Sequence, residues 1–288
     1  MQCPCAHLAA AMSVRYVNKC AHNPARVNGE ERPMDLSDQT VLVTGASKGI
    51  GAAIARGLLA EGATVVAHYG TDRAGAEAAV AGAAPGRAHL VQADLADAAA
   101  AAGLFAAAGA VADRPLTALV NNAATMIFDG GIDDPPEAWD RVWERTFAVN
   151  VHAAAALLRD AVRTFRGAGG GRIVGISSWA AQKGVTNPRT IAYAASKAAF
   201  KAALQTVATA YARDGIETYI VAPGVVDTQM SRDFAESQGG RAVVEDRLAM
   251  GAFVPPEEIA ALTAFCLSGR ARHLSGGTID INGASYIR

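Results

Sequence analysis

The chain has 288 residues, of which 51% are apolar and 18% are charged, and its formal net charge is −1. A globular chain of this length buries roughly three quarters of the surface that its unfolded form exposes, so it needs neither disulfides nor a metal for stability. The near-neutral charge argues against a nucleic-acid-binding protein, and no apolar stretch reaches the ~20 residues of a membrane span. We therefore expect a soluble globular protein without nucleic-acid or membrane partners.

Residues 1–35 lack the apolar periodicity of the rest of the chain, and we interpret them as an N-terminal extension rather than a domain. Cys3, Cys5 and Cys20 lie in this extension, but their spacing does not match that of zinc ligands. Four cysteines in a chain of this size do not indicate a disulfide framework, which favours a reducing, cytoplasmic location. An alternative interpretation is that translation begins at Met34, directly before the first predicted strand.

Short apolar segments alternate with helical patterns from residue 36 to the end of the sequence. Buried strands separated by helices are typical of a parallel sheet with helices on both faces. No linker interrupts the alternation, so we predict that residues 36–288 form one doubly wound α/β domain. Strands are predicted at 41–43, 64–68, 89–93, 116–120, 172–177, 217–222 and 278–281, and helices at 50–61, 74–81, between 93 and 116, and at 136–166, 192–213 and 256–267, with an irregular stretch at 227–253.

A glycine-rich turn follows the first predicted strand and enters the first predicted helix; it reads Thr-Gly-Ala-Ser-Lys-Gly-Ile-Gly over residues 44–51. Glycine suits a tight turn in which backbone N–H groups approach a pyrophosphate at a helix N-terminus. The glycine spacing differs from the G-x-G-x-x-G fingerprint, but its position after the first strand favours nucleotide binding. The predicted contacts from this turn are Gly45, Ser47, Lys48, Gly49, Ile50 and Gly51.

The end of the second predicted strand bears on the choice of cofactor. Proteins specific for NAD carry an acidic residue there, which binds the ribose. Here the strand ends near Tyr69 without a carboxylate, and Lys48 and Arg73 are available to meet a 2′-phosphate. These residues favour NADP(H) over NAD(H). Asp72 leaves NAD(H) open as the alternative, and both cations have the structural alternative of being solvated surface charges.

Polar residues follow the third and fourth predicted strands, with Asp94 and Leu95 after the third and Asn121, Asn122 and Ala123 after the fourth. Ligands bind at the carboxyl ends of the strands in open α/β sheets, so we expect these residues to line the same site. The alternative roles are structural, because an aspartate caps helices and asparagines form ordinary turns.

The most specific pattern is Tyr193-Ala-Ala-Ser-Lys197, with a pair of serines, Ser177 and Ser178, upstream. The spacing of four residues places Tyr193 and Lys197 on one helix face. A nearby ammonium favours the phenolate and is expected to lower the pKa of the tyrosine, which is ordinarily about 10. Tyr193 would then exchange a proton with a carbonyl or alcohol oxygen, to which Ser178 would donate a hydrogen bond.

Together with the glycine-rich turn, these residues resemble the short-chain dehydrogenase/reductase family in its single-domain, Rossmann-type form. The resemblance covers about residues 36–288 and rests on the motifs TGASKGIG, NNA, a serine before YxxxK, and PG. It implies a catalytic set of Ser178, Tyr193, Lys197 and Asn150, in which Asn150 helps to hold a proton-relay water. The predicted cofactor contacts beyond the turn are Tyr69, Asp94, Leu95, Asn121, Ala123, Tyr193, Lys197, Pro223, Gly224, Val226 and Thr228.

The end of the sequence, Ser-Gly-Gly-Thr-Ile-Asp-Ile-Asn-Gly over residues 275–283, is similar to that of the 3-oxoacyl-(acyl-carrier-protein) reductase branch. Three features depart from the family pattern: Ala124 stands where glycine is usual, the interval from Ser178 to the tyrosine is 15 residues, and the segment Thr125–Trp139 is enlarged. The long interval leaves Ser177 open as the alternative serine. The enlarged segment is expected to shape the substrate mouth.

The resemblance implies an NADP(H)-dependent oxidoreductase that transfers a hydride between the nicotinamide and a carbonyl or secondary alcohol, with a 3-oxoacyl thioester as the first substrate class to consider. Two alternatives stay open: an NAD-dependent dehydrogenase of a sugar, steroid or other small alcohol, and a non-catalytic dinucleotide-sensing protein. No metal-ligand spacing is present, so no metal is predicted. The family usually assembles through its two long helices, here 136–166 and 192–213, which implies a homotetramer or a homodimer.

Overall fold

The chain divides into two units, Met1–Pro33 and Met34–Arg288. The computed structural model describes the whole of the second unit and, in the first, two strands of two residues each, Arg26–Val27 and Glu30–Glu31. These two strands pair antiparallel. The predicted N-terminal extension otherwise lies outside the described residues, as do its three cysteines, and its interpretation stays a prediction.

The second unit contains one sheet of seven parallel strands. The strands are β1 (Thr40–Val43), β2 (Thr64–Tyr69), β3 (Ala88–Gln92), β4 (Ala118–Asn121), β5 (Gly171–Ile176), β6 (Ile216–Pro223) and β7 (Thr278–Ile281). Each predicted strand is present, and no end shifts by more than two residues. The order in the sheet is β3-β2-β1-β4-β5-β6-β7; it reverses at β1, which pairs with both β2 and β4, and such a reversal opens a crevice beyond the carboxyl ends of the strands.

Helices connect the strands. The helices are α1 (Gly49–Ala60), α2 (Arg73–Val80), α3 (Ala98–Ala112), α4 (Pro136–Phe147), α5 (Ala154–Ala168), α6 (Ala180–Lys183), α7 (Ile191–Ala210), α8 (Gln229–Ser237), α9 (Arg241–Glu245) and α10 (Pro256–Leu267). Short 3₁₀ turns lie at Pro188–Thr190, Ala212–Asp214 and Arg272–Leu274.

The two faces of the sheet are buried in two separate apolar clusters, as β1 illustrates. Leu42 belongs to the cluster that contains residues of α3, α5 and α7, whereas Val41 and Val43 belong to the cluster that contains residues of α1 and α10. Successive side chains of a strand point to opposite faces, so a strand covered on both faces is apolar throughout. The predicted doubly wound α/β architecture is therefore confirmed.

One long predicted helix, 136–166, is interrupted. A π-helical turn, Ala148–Ala153, separates α4 from α5. A π-turn adds one residue to a helical turn without ending the helix, so the apolar periodicity on either side remains helical and the interruption leaves little trace in the pattern. The π-helical turn contains Asn150, one of the predicted catalytic residues.

The prediction that 227–253 is irregular is wrong, because this stretch contains α8 and α9. The signal that was missed is a helix N-cap, since the Thr228 side chain accepts a hydrogen bond from the backbone N–H of Ser231. Two glycines with positive φ, Gly239 and Gly240, then separate the two short helices. Both helices are short, and each buries one residue, Ala235 in α8 and Val244 in α9.

No helix among the described residues has the length and apolar character that a membrane span requires. The same part of the chain contains no group of three or more His, Cys, Asp or Glu side chains placed to hold a metal ion. Cys266 is a free, buried thiol on α10, and burial raises its pKa to about 12.

Candidate active site

The glycine-rich turn connects β1 to α1 and is too closely packed for side chains. Gly45 has a φ of +67°, a left-handed conformation that favours glycine. A Cβ on Gly51 would lie 2.1 Å from the carbonyl oxygen of Gly45. The turn therefore brings the backbone itself, rather than side chains, to the carboxyl edge of the sheet.

The N-terminus of α1 has the properties of an anion site. The helix begins at Gly49, its N-cap residue Lys48 gives no side-chain hydrogen bond, and its first turn contains no acidic residue. The first backbone N–H groups of a helix lack partners within the helix, and the helix dipole places partial positive charge there. The turn thus fits the pyrophosphate of a dinucleotide, with Ile50 and Gly51 in the first helical turn.

Polar groups from other strand ends hold the turn in place. The Asn122 side chain donates to the carbonyl oxygen of Thr44 at 2.8 Å, and the Thr44 hydroxyl accepts from the backbone N–H groups of Asn122 and Ala123 at 2.9 and 3.0 Å. Ser47 donates to the carbonyl oxygen of Asp72 at 2.8 Å. Sequence reasoning placed Asn122 at the ligand-binding edge of the sheet, with an ordinary turn as the alternative, and did not identify its support of the glycine-rich turn.

The end of β2 carries the residues that bear on cofactor choice. The Asp72 carboxylate accepts from the backbone N–H of Gly75 at 2.8 Å and so caps α2. Arg73 forms an exposed ion pair with Glu77. Lys48 is exposed and makes no ion pair with any described residue, whereas Tyr69 is buried at the end of the strand.

The residues after β3 and β4 lie at the same edge of the sheet, but their side chains also have structural partners. Asp94 accepts from the backbone N–H of Ala96 at 2.9 Å, and the neighbouring Leu95 is buried. The buried Asn121 side chain donates to the carbonyl oxygen of Ala154 at 3.0 Å, so it faces α5 rather than the crevice. The Asn121 side chain is therefore used to anchor the start of α5.

Tyr193 and Lys197 lie on the same face of α7, with the Lys197 Nζ atom 5.8 Å from the centre of the tyrosine ring. Lys197 is almost fully buried, and its Nζ atom donates to the carbonyl oxygen of Ile176 at 2.7 Å. Ser178 is close enough to Tyr193 that its side chain lowers the pKa of the phenol. The structure thus brings Ser178, Tyr193 and Lys197, three of the four predicted catalytic residues, together where β5 ends and α7 begins.

The two neighbouring serines have different partners. Ser177 donates to the carbonyl oxygen of Lys197 at 3.3 Å, whereas Ser178 accepts from the backbone N–H of Ala180 at 3.1 Å and lowers the pKa of the Tyr193 phenol. Adjacent residues at the end of a strand point in opposite directions, which explains the difference. Ser178 is the serine that shares a site with Tyr193, despite the long interval between them.

The expected lowering of the Tyr193 pKa by Lys197 is not what the structure gives. Burial of the phenol raises its pKa, and the hydrogen bond from Ser178 opposes that effect only in part. Burial also lowers the pKa of Lys197 to about 8. Removing both groups from water disfavours their charged forms, and the Lys197 ammonium is hydrogen-bonded to a backbone carbonyl rather than to the phenol.

Asn150 is placed by the π-helical turn. Its side chain accepts from the backbone N–H of Thr125 at 2.8 Å and donates to the Thr125 carbonyl oxygen at 2.9 Å. It also donates to the hydroxyl of Ser196 at 3.0 Å. Asn150 therefore links the start of the enlarged segment to the helix that carries Tyr193. Ser196, between Tyr193 and Lys197, is a contact that the sequence reasoning missed.

The segment after β6 closes the site from the side of the predicted nicotinamide contacts. Gly224 packs so closely on Asn282 that a Cβ would lie 2.8 Å from the Asn282 side chain, and Val226 forms a bridge with Val254. A Cβ on Gly49 would lie 3.1 Å from the Thr228 methyl group. Thr228 therefore touches the glycine-rich turn, and Pro223 ends β6 just before this segment.

These features define a class of protein. The sheet is doubly wound, the glycine-rich turn at its carboxyl edge fits a dinucleotide, and a Ser-Tyr-Lys set lies beside that turn. This is the architecture of a nicotinamide-dependent oxidoreductase. The chain belongs to the short-chain dehydrogenase family, whose model matches residues 39–239. The family predicted from the sequence is confirmed.

Similar proteins act on different alcohols and ketones. L-rhamnose 1-dehydrogenase (NAD(P)(+)) of Sphingomonas sp. is 33% identical over 88% of this chain and 98% of its own. 3beta-hydroxysteroid dehydrogenase 1 of Eggerthella lenta is 34% identical over 88% of this chain and 95% of its own. A solved structure of 3-oxoacyl (acyl-carrier-protein) reductase from Agrobacterium tumefaciens C58, with NADP bound, has a TM-score of 0.77 and 31% identity over 87% of this chain and 95% of its own.

The similarity shows an oxidoreductase that depends on NAD(P) and acts on CH–OH or C=O groups. This confirms the predicted enzyme class. The solved structures include a 3-oxoacyl-(acyl-carrier-protein) reductase, consistent with the branch that the end of the sequence resembles.

Proposed function

We propose that the protein is an NADP(H)-dependent reductase of a ketone to a secondary alcohol, with Tyr193 as the proton-transfer residue. The observation that carries this proposal is the position of Tyr193: its ring centre lies 5.8 Å from the Lys197 Nζ atom, and the Ser178 side chain acts on the pKa of its phenol. A protein that only bound a dinucleotide would have no use for this set. The non-catalytic alternative therefore has no observation in its favour.

The site residues have separate tasks in this chemistry. The nicotinamide, when bound, supplies or accepts the hydride. Ser178 donates a hydrogen bond to the substrate oxygen, and Tyr193 gives a proton to that oxygen as the alcohol forms. Because burial raises the Tyr193 pKa, the phenol holds its proton near neutral pH and is suited to act as the acid in the reducing direction. Lys197 binds the nicotinamide ribose, and Asn150 holds a water that resupplies the proton.

The charged residues near the end of β2 favour NADP(H) over NAD(H). Asp72, the first carboxylate after the strand, is used to cap α2, where its oxygen accepts from the Gly75 N–H. Lys48 is exposed without an ion pair among the described residues, so it is available to a 2′-phosphate. Arg73 already pairs with Glu77, which makes Lys48 the stronger candidate.

In this proposal the enlarged segment Thr125–Trp139 borders the opening of the substrate site. For the substrate we propose a chemical class rather than one compound. The similar proteins have names that refer to a sugar, a steroid and an acyl-carrier-protein substrate. We take a 3-oxoacyl thioester as the first substrate to test. A sugar or steroid alcohol is the second.

The test follows absorbance at 340 nm with purified protein, NADPH or NADH, and a panel that contains a 3-oxoacyl thioester, a ketosteroid and sugar lactones or ketoses. We expect NADPH oxidation with one substrate class, and a KM for NADPH at least tenfold below that for NADH. Lys48→Ala should raise the KM for NADPH about tenfold and leave that for NADH unchanged, because one charge-assisted hydrogen bond is worth roughly 1.5–3 kcal/mol.

Arg213→Ala is the matched control, since Arg213 is an exposed cation on a 3₁₀ turn at the start of β6, away from the carboxyl edge of the sheet. A KM for NADH equal to or below that for NADPH would contradict the cofactor preference. Binding of NADPH without turnover of any panel member would favour the non-catalytic alternative.

A further inference from the structure

His68, near the end of β2, is a buried titratable side chain without a part in the chemistry proposed above. Only 2% of its surface is exposed. It stands in the strand whose end is predicted to lie beside the cofactor ribose, one residue before Tyr69. A polar ring at such a depth requires partners for its nitrogen atoms.

Both ring nitrogens have backbone partners in the cofactor cradle. The Nδ1 atom accepts from the backbone N–H of Gly45 at 3.1 Å, and the Nε2 atom lies 3.1 Å from the carbonyl oxygen of Ala93. Burial lowers the pKa of His68, so the ring is neutral and carries one N–H group. Since the Gly45 amide is a donor, Nδ1 carries the lone pair and the hydrogen belongs to Nε2, which donates it to Ala93.

The ring joins three strand ends. Gly45 follows β1, His68 itself belongs to β2, and Ala93 follows β3 directly before Asp94. The carbonyl oxygen of His68 also accepts from the backbone N–H of Ala46 at 2.8 Å. One residue therefore holds two consecutive N–H groups of the glycine-rich turn and fixes the segment that leads to Asp94.

The contact with Gly45 bears on the shape of the turn. The backbone N–H of Gly45 is held by His68, and the carbonyl oxygen of Gly45 lies 3.3 Å from the Asn122 side-chain amide. The Gly45 carbonyl is also the group against which Gly51 packs. A rotation of the Gly45 peptide would therefore disturb the start of α1, where the pyrophosphate is proposed to bind.

We propose that His68, as the neutral Nε2–H tautomer, is a positioning residue that fixes the adenosine half of the cofactor site before the cofactor binds. This inference rests on the proposed binding of NADP(H) at the glycine-rich turn. Loss of the ring leaves the Gly45 N–H and the Ala93 carbonyl without their partner in the protein interior, and such groups are costly to leave unpaired. The turn and the Asp94 segment then separate, which weakens cofactor binding without touching the reacting atoms.

The test compares His68→Leu with His68→Asn. Leucine fills the space but accepts no hydrogen bond, whereas the asparagine carbonyl oxygen stands near the position of Nδ1 and accepts from Gly45. We expect the Kd for NADPH, measured by fluorescence titration, to rise at least about tenfold in His68→Leu. In His68→Asn the Kd should return most of the way to the wild-type value. The kcat at saturating NADPH should stay within about twofold in both variants, because the substrate site is unchanged.

Phe165→Leu is the control for general loss of stability, since Phe165 is fully buried in α5 and does not contact the cradle. It should lower the Tm but leave the Kd for NADPH unchanged. If His68→Leu does not fold, His68→Asn is compared with His68→Gln, whose amide donates to Ala93 but leaves Gly45 unpaired. The Asn variant should then bind NADPH more tightly.

Three results would overturn the inference: a Kd for NADPH in His68→Leu equal to that of the wild type, a loss confined to kcat, or tighter binding by His68→Gln than by His68→Asn. A wild-type protein that binds neither NADPH nor NADH would overturn the proposed function and this inference together. If the wild type binds NADPH and His68→Leu binds it with the same Kd, only the inference is overturned.

Discussion

Lys197 shows how burial governs the chemistry of individual residues at this site. Its ammonium is enclosed by protein and bonded to the carbonyl oxygen of Ile176, and burial lowers its pKa to about 8. The same enclosure raises the pKa of Tyr193. Without a cofactor, the tyrosine is therefore a proton donor, and the lysine titrates closer to neutral pH than the tyrosine does.

The Lys197 pKa predicts a pH dependence of stability. The lysine pKa falls from 10.5 to about 8 on folding, so between these values the unfolded chain holds a proton that the folded protein has lost. Raising the pH through this window therefore stabilises the fold. We expect the free energy of unfolding of the wild type, relative to Lys197→Met, to rise by up to ~3 kcal/mol between about pH 7.5 and pH 10.5, as measured by urea denaturation.

The comparison with Lys197→Met is needed because Cys266 acts in the opposite direction. Its pKa rises from 9.0 to about 12 on folding, so its contribution to stability is lost as the pH rises through that range. Subtracting the variant removes this contribution, since Cys266 is present in both proteins. A difference between the two proteins that does not change with pH would contradict the burial of a titrating Lys197 amine.

The adjacent serines offer a matched pair of substitutions. Ser178→Ala removes the hydroxyl that we propose donates to the substrate oxygen beside Tyr193, and we expect kcat to fall about 10²-fold with the Kd for NADPH unchanged. Ser177→Ala removes only the bond to the Lys197 carbonyl oxygen and should leave kcat within about threefold of the wild type. Steady-state kinetics measure both. A larger loss of kcat in Ser177→Ala than in Ser178→Ala would reassign the catalytic serine.

The two segments that are longer than the family pattern are connected to each other. Asp134, in the enlarged segment Thr125–Trp139, accepts from Arg189 at 3.0 Å, and Arg189 lies in the long interval between Ser178 and Tyr193. The backbone N–H of Gly131 donates to the same carboxylate at 2.8 Å and lowers its pKa, with a smaller contribution from Arg189. Two departures from the family pattern thus form one structural unit.

This connection predicts a selective effect on substrate binding. Arg189→Ala and Asp134→Asn should each raise the KM of the substrate about threefold to tenfold and leave the Kd for NADPH unchanged, because the two loops border the mouth but not the glycine-rich turn. The pair is partly exposed, so its contribution to overall stability is small, of the order of 1 kcal/mol or less.

A double-mutant cycle measures the coupling between the two side chains, since residues that act through one ion pair do not have additive effects. Arg166→Ala is the control, because Arg166 forms a comparable surface pair with Asp214 on α5 and a 3₁₀ turn. Fully additive effects of Arg189→Ala and Asp134→Asn on the substrate KM would show that the loops act independently.

Element by element, the sequence predicted where short apolar runs alternate with helix-forming segments and missed what depends on exact backbone geometry. The central strands are buried apolar runs, and α10 was predicted with its observed bounds, Pro256–Leu267. The π-turn at Ala148–Ala153 was not predicted, because one extra residue per turn leaves the flanking periods helical. The partners of Asn122 and Ser196 were missed because a side chain's hydrogen bonds depend on which distant strand or helix packs beside it.

At the scale of the whole molecule, the order of motifs along the chain predicted the fold and the family, since each motif falls at the carboxyl end of a strand. The effect of burial on the Tyr193 pKa could not be predicted in the same way. The sequence shows that Tyr193 and Lys197 share a helix face, but only the packing of β5 against α7 shows that burial disfavours the charged form of each and that the lysine bonds to Ile176.

The predicted assembly through the long helices stays a prediction, and α4 supplies a reason to test it. Trp139, Trp143 and Phe147 form a row along this helix, with neighbouring ring centres 5.1 and 5.3 Å apart, and all three are only half-buried. We expect light scattering to give the mass of a homotetramer or a homodimer, and Trp143→Glu to reduce it. A monomeric wild type would contradict the prediction. The predicted cytoplasmic location also stays a prediction.

The measurement that tests the central claim most directly is the turnover of Tyr193→Phe with NADPH and the ketone that the wild type reduces fastest. Phenylalanine keeps the ring and its packing but has no proton to give. We expect kcat to fall ~10²–10⁴-fold while the Kd for NADPH stays within about twofold of the wild-type value. A variant that binds NADPH and reduces the ketone at the wild-type rate would show that Tyr193 does not carry the proton.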